Sequence, residues 1–161
     1  MNRYVVMGVS GCGKSRIGQD FAAAMGAQFV DGDGLHPPEN IAKMSRGEPL
    51  NDTDRAPWLD RVGQVLQSPN TVIACSALKR AYRDRIRTMA GLPVMFLYLR
   101  GQRETLLQRM ATRPGHFMPV SLLDSQLATL EPPDPDETHL VADIEQSPQA
   151  IVRQFQSALS A

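Results

Sequence analysis

The chain has 161 residues, 42% of them apolar and 21% charged, with 17 basic side chains against 17 acidic ones. That is one domain's worth of sequence, enough to bury a stable core without disulfide or metal staples. The charge balance argues against nucleic acid as a main partner, which demands a net basic face, and no run approaches the ~20 apolar residues a membrane span needs.

Five short apolar runs, at 4–7, 28–30, 71–75, 94–99 and 139–143, are bounded by Gly, Pro or polar residues. They read as buried parallel strands. Helical patterns lie between and after them, over 14–25, 54–66, 79–89, 103–111 and 148–159, with Pro57 expected in the first turn of the second. Strand–helix alternation predicts a single α/β domain over 1–161, three layers deep, with a parallel sheet covered on both faces. Two stretches break the rhythm, 32–51 after the second strand and 113–136 after the fourth helix. Excursions this long in a compact domain are usually binding segments or lids. The first, with the helix that follows it, defines a substrate-binding segment over about 32–66, and the second a mobile lid over about 113–136. Only two cysteines occur, Cys12 and Cys75, a usage that suits a reducing, cytoplasmic compartment.

Residues 8–15 read Gly-Val-Ser-Gly-Cys-Gly-Lys-Ser, directly after a predicted strand and directly before a predicted helix. This is the GxxxxGK[ST] phosphate-binding loop in its required context. Gly8, Gly11 and Gly13 let the backbone N–H groups of the loop, those of Ser10 and Cys12 included, turn toward phosphate oxygens, and the following helix, with Arg16 in its first turn, adds its positive end. Lys14 is placed to bridge the β- and γ-phosphates of ATP, and the Ser15 hydroxyl to hold Mg²⁺. The Cys12 thiol, just before a helix N-terminus and two residues from Lys14, is expected to be reactive. The alternative is that it points under the loop as a small inert core residue.

No Asn-Lys-x-Asp motif of a GTPase is present, and the third strand ends Ala74-Cys75-Ser76, without the acid of a mechanical ATPase. Carboxylates follow the second strand instead, at Asp31 and Asp33. Such a pair can divide metal positioning from acceptance of a hydroxyl proton, and resemblance to the Asp-x-Asp pair of related small-molecule kinases implies Asp31 for the metal, through water, and Asp33 for the proton. A turn held by side-chain to backbone bonds is the bland reading of the same residues.

Four blocks carry a closer resemblance. They are MGVSGCGKS at the phosphate loop, DGDGLHPPENIAKMSRGEPLNDTDRAPWL at 31–59, CSALKRAYRDRIR at 75–87 and GHFMPVSLLDSQLATLEPP at 115–133. In this order they resemble the bacterial-type gluconokinases over nearly the whole chain, with Cys12 standing where Ser or Ala is more usual. The resemblance implies a nucleoside monophosphate kinase-like fold with strand order 2-3-1-4-5. It also implies ATP-dependent phosphorylation of D-gluconate at its 6-hydroxyl, a need for Mg²⁺, and a homodimer. Shikimate or another sugar acid is the alternative acceptor. A silent nucleotide-binding partner and a hydrolase are readings from other classes.

An anionic polyol needs cations for its carboxylate and hydrogen-bonding groups for its hydroxyls. His36, Asn40, Lys43 and Arg55 come from the first excursion and its helix. Ser76, Lys79, Arg80 and Arg83 follow the third strand, at the sheet edge where α/β proteins bind ligands. Lys79 and Arg83 are expected on one helix face, with Arg80 solvated. The resemblance raises His36, Arg55 and Lys79 among these. In related kinases, basic residues at the places of Arg109 and Arg113 pack on adenine and grip phosphates as a lid closes, and Gly115, His116 and Phe117 sit in that lid. His116 is therefore expected at the substrate and Arg113 in catalysis. The 143–148 loop, with Gln146 and Pro148, is expected near adenine, and Trp58 in the core.

Overall fold

The computed structural model describes residues 2–111 and 120–160. Five parallel strands form one sheet: β1 (Arg3–Met7), β2 (Gln28–Asp31), β3 (Thr71–Ala74), β4 (Met95–Arg100) and β5 (His139–Asp143), in the order β2-β3-β1-β4-β5. The expected strand order and the layering of helices on both faces are what the structure shows. The three central strands are almost wholly buried, whereas β2 and β5, at the edges, are only half covered. Edge strands lack a neighbour on one side, so the expectation of five buried strands holds for the middle of the sheet alone.

Register places the functional edge. Asp31 lies beside Ala74, and Ala74 beside Val6. The chain therefore leaves β2, β3 and β1 at one level, and the segments beginning at Gly32, Cys75 and Gly8 emerge side by side. Gly32 sits so close to β3 that an added Cβ would lie 2.2 Å from the Ala74 carbonyl oxygen. Only glycine fits there, and that fixes how the Asp31-Gly32-Asp33 turn leaves the sheet.

The helices are α1 (Lys14–Met25), α2 (Pro38–Ser45), α3 (Asp52–Val65), α4 (Arg80–Ala90), α5 (Arg103–Ala111), α6 (Val120–Thr129) and α7 (Pro148–Ser160). The first excursion is structured: a 3-10 turn over Gly32–Leu35 and then α2, which starts with Pro38 in its first turn. α3 begins two residues earlier than the sequence pattern indicates, because Asn51 and Asp54 form a reciprocal capping box. Pro57 thus falls in the second turn rather than the first. α4 begins one residue later than expected, with Lys79 as its N-cap. Within the second excursion, α6 occupies Val120–Thr129. The expected lid residues Arg113, Gly115, His116 and Phe117 lie outside the described residues.

Tyr4, Phe21 and Phe155 pack edge to face between the sheet, α1 and α7. On the opposite side Trp58, Leu59 and Val62 of α3 and Ile86 of α4 are buried. No described helix is long and apolar enough to cross a membrane.

Candidate active site

Gly8, Gly11 and Gly13 all adopt positive φ, at 148°, 86° and 92°. The loop they bend wraps the start of α1. The Lys14 ammonium donates to the Val9 carbonyl at 3.2 Å, and the backbone N–H of Ser10 donates to Gln126 Oε1 at 2.7 Å. Arg16 pairs with Asp20, one turn further along α1, on the exposed face.

Cys12 is fully buried, and its Sγ lies 2.7 Å from where a Cβ on Gly8 would stand. The expectation of an accessible thiol fails here. The tight turn of the loop directs the side chain beneath it, so Cys12 fills space in the core.

The two carboxylates after β2 face different neighbours. Asp31 Oδ2 accepts from the Ser15 hydroxyl at 3.4 Å, and Asp31 Oδ1 accepts from the Asp33 backbone N–H at 3.0 Å. Asp33 borders a cavity of about 490 Å³, together with Lys14, Ser10 and Ser76. This volume is in the range of small-molecule sites. Ser15 and Asp31 offer hard oxygen donors of the kind Mg²⁺ accepts.

The far wall of the cavity comes from the first excursion, α2 and α3, and includes His36, Ile41, Met44, Arg55 and Trp58. His36 is buried and stacks on Trp58 with ring centroids 3.9 Å apart. Trp58 Nε1–H donates to the Gly32 carbonyl at 2.8 Å, tying α3 to the Asp-Gly-Asp turn. The Asn40 amide nitrogen donates both to the Asp54 carbonyl, at 2.8 Å, and to His36 Nδ1, at 3.2 Å. A carbonyl only accepts, so the amide orientation is set. Nδ1 must then accept as well, and the ring proton sits on Nε2. Burial, then the Arg55 charge, pushes the His36 pKa down to about 4. A neutral imidazole with an Nε2–H donor therefore lines the cavity. Arg55 also reaches the Tyr82 hydroxyl at 2.9 Å.

Other expected substrate residues stand elsewhere. Lys43 is paired with Asp54. Lys79 lies 3.7 Å from Asp52 and over the Tyr82 ring, in a neighbouring open hollow that it shares with Arg55. Arg80 is held at the surface by Asp134 and Asp136. Arg83 does not share a face with Lys79. The cap geometry turns Lys79 outward, while Arg83 is fully buried against Glu137 and the Ala77 carbonyl. Arg83 is thus a structural cation under the loop after β3. Burial raises the Glu137 pKa, but the hydrogen bonds from Arg83 and Arg87 outweigh it and hold the group at about 2.

On the nucleotide side, Arg109 lies 3.9 Å from the Cβ position of Gly13 and donates to the Ile144 carbonyl. It therefore spans the phosphate loop and the turn after β5. In that turn Gln146 folds onto the Asp143 carbonyl, and Pro148 opens α7.

The sequence reading missed α6. Leu122, Ser125 and Gln126 complete the cavity wall. Their spacing of one helical turn is a signal that an amphipathic reading of 120–129 would have caught.

A phosphate loop, a 2-3-1-4-5 parallel sheet and a carboxylate-bearing cavity at its carboxyl edge define a P-loop small-molecule kinase. The shikimate kinase family model matches residues 10–160. The thermosensitive gluconokinase of Escherichia coli (strain K12) is 51% identical over 144 residues, covering 86% of this chain and 76% of its own. A crystal structure of a gluconokinase from Sinorhizobium meliloti 1021 superposes with a TM-score of 0.92 at 49% identity, covering 99% of this chain and 91% of the other. A shikimate kinase from Bacteroides thetaiotaomicron shares the fold, with a TM-score of 0.73 at 15% identity, covering 99% of this chain and 98% of the other. The chain belongs to the gluconokinase family, within the wider group that shares the shikimate kinase fold.

Proposed function

We propose that the protein transfers the γ-phosphoryl group of ATP to the 6-hydroxyl of D-gluconate. The observation that carries this reading is the single cavity in which Lys14 and Asp33 face Arg55 and His36. The acceptor oxygen forms a bond to the γ-phosphorus, the bond from that phosphorus to the β–γ bridging oxygen breaks, and ADP leaves. Asp33 takes the hydroxyl proton. Lys14 binds the β- and γ-phosphates in line with the acceptor, and Arg55 offers the charge for the carboxylate. The neutral His36 donates through Nε2 to an acceptor oxygen. Arg109 holds the nucleotide between the loop and the 143–148 turn.

Ser15 and Asp31 would hold Mg²⁺, Asp31 through water. The ion supplies neutralisation of charge on the β- and γ-phosphates. Arg113 serves the transfer step and His116 meets gluconate; both lie outside the described residues. The enzyme acts in the cytoplasm as a homodimer, a state that light scattering of the purified protein tests.

The substrate reading favours gluconate over shikimate because the gluconokinase relatives are about half identical, whereas the shikimate kinase likeness is one of fold. ADP release, measured across gluconate, other sugar acids, shikimate and buffer alone, tests it. Gluconate should give the highest kcat/KM, with little turnover in buffer. Faster turnover of shikimate, or equal ATP hydrolysis without acceptor, would overturn it.

A further inference from the structure

Gln126 projects from α6 to the boundary between the phosphate loop and the acceptor cavity. Its Oε1 accepts from Ser10 N–H at 2.7 Å, and it lines the same cavity as Lys14, Asp33 and Ser76. A backbone N–H can only donate. The carboxamide must therefore turn its oxygen to the loop, which leaves Nε2, with its two hydrogens, for something else. Among the described residues no hydrogen bond from Nε2 is found.

The helix bearing Gln126 is held independently of that contact. Arg103 pairs with Asp124 through two hydrogen bonds, and Leu122 and Leu123 are buried. Just past its C-terminal end, Glu131 N–H donates to the Leu78 carbonyl at 2.7 Å. The Glu131 carboxylate accepts from Arg80 N–H, the first N–H of α4. α6 is thus strung between the phosphate loop and the segment after β3 that carries Ser76. A side chain at this position is not needed to seat the helix.

We propose that Gln126 is a positioning residue for phosphoryl transfer. Its oxygen sets the Ser10 end of the phosphate loop, and its amide hydrogens orient the oxygens that meet between ATP and the acceptor hydroxyl. This assignment rests on the kinase reading above. A donor aimed at developing charge in a closed site acts mainly on the chemical step, so its loss appears in kcat more than in KM.

Two variants separate this from a role as a mere loop anchor. Gln126→Met keeps the length and removes every hydrogen bond. Gln126→Glu keeps an oxygen for Ser10 N–H and removes the two donors. Both should fold, with melting temperatures near that of the wild type. Both should lower kcat for gluconate roughly 10²-fold or more with little change in the gluconate KM, and the charge of Gln126→Glu beside the phosphates should also raise the KM for ATP. Both should also raise the share of ATP lost to water, read as ADP released per 6-phosphogluconate formed. Wild-type kcat in Gln126→Glu would leave Gln126 a loop anchor only and overturn the proposal, as would a rise in the gluconate KM alone. Wild-type enzyme inactive on gluconate would instead overturn the reading of the substrate.

Discussion

His36 lies flat on Trp58, its ring plane tilted by 18° from the indole. Stacked there, with Nδ1 accepting from Asn40, the imidazole has little room for a second proton. Its pKa stands near 4 in the folded chain against 6.5 unperturbed. Between these values the unfolded chain binds more protons, so stability rises with pH through that window and is lost as pH falls from about 6.5 toward 4. Urea unfolding of wild type and His36→Gln, at about pH 7 and about pH 4.5, isolates this group. Wild type should lose about 1–3 kcal/mol more than the variant on acidification. Equal losses would mean that the stacked ring titrates normally.

The split between Asp31 and Asp33 predicts two phenotypes. Asp33→Asn should lower kcat by roughly 10²-fold or more, with modest loss of ATP binding, since the carboxylate borders the acceptor cavity. Asp31→Asn should shift the Mg²⁺ requirement upward, because Asp31 is bonded to Ser15. Magnesium titrations of both variants decide the matter. A raised requirement in Asp33→Asn alone would exchange the roles.

Arg83 shows its importance through stability. Replacing it by Met leaves the buried Glu137 carboxylate with Arg87 as its remaining cation. Breaking a buried pair costs about 3–5 kcal/mol, and the surviving Arg87 contact places this case at the lower end. Thermal melting should drop accordingly, while KM for gluconate in the protein that remains folded should stay close to wild type. A large rise in that KM without loss of stability would return Arg83 to the substrate.

Neither cysteine should react in the folded enzyme. Cys12 is sealed beneath the phosphate loop, and burial pushes the Cys75 thiol up to about 12, leaving almost no thiolate near neutral pH. Brief iodoacetamide treatment followed by mass spectrometry should find both unmodified, with or without MgATP. Rapid labelling of Cys12 that MgATP suppresses would show that the loop opens far more than its packing indicates.

Much of this was legible in the chain because local rules and fold agree. The glycine spacing at 8–13 sits between a β-rich run and a helix, and the five apolar runs become the five strands in place to within one or two residues. What stayed hidden depended on caps and on distant partners. Sequence spacing put Lys79 and Arg83 on one face, but an N-cap residue has non-helical dihedrals, and the two side chains part company there. The partner of Arg83 lies 54 residues away, at Glu137. Gln126 meets Ser10 across 116 residues, beyond any local pattern. Cys12 was misread because the hand of the loop, rather than its composition, sets which way the thiol points.

The chain contains a single tryptophan, and it is the residue under His36, hydrogen-bonded to Gly32 at the base of the acceptor cavity. Its ultraviolet emission therefore comes from one place, undiluted by any other indole. Acceptor binding, acid titration of the stacked ring and substitutions at Arg55 or Asn40 would each change the light from that one fluorophore. On the proposed reading of the cavity, the enzyme carries its own optical gauge of acceptor occupancy, to be read without ATP, without turnover and without an attached dye.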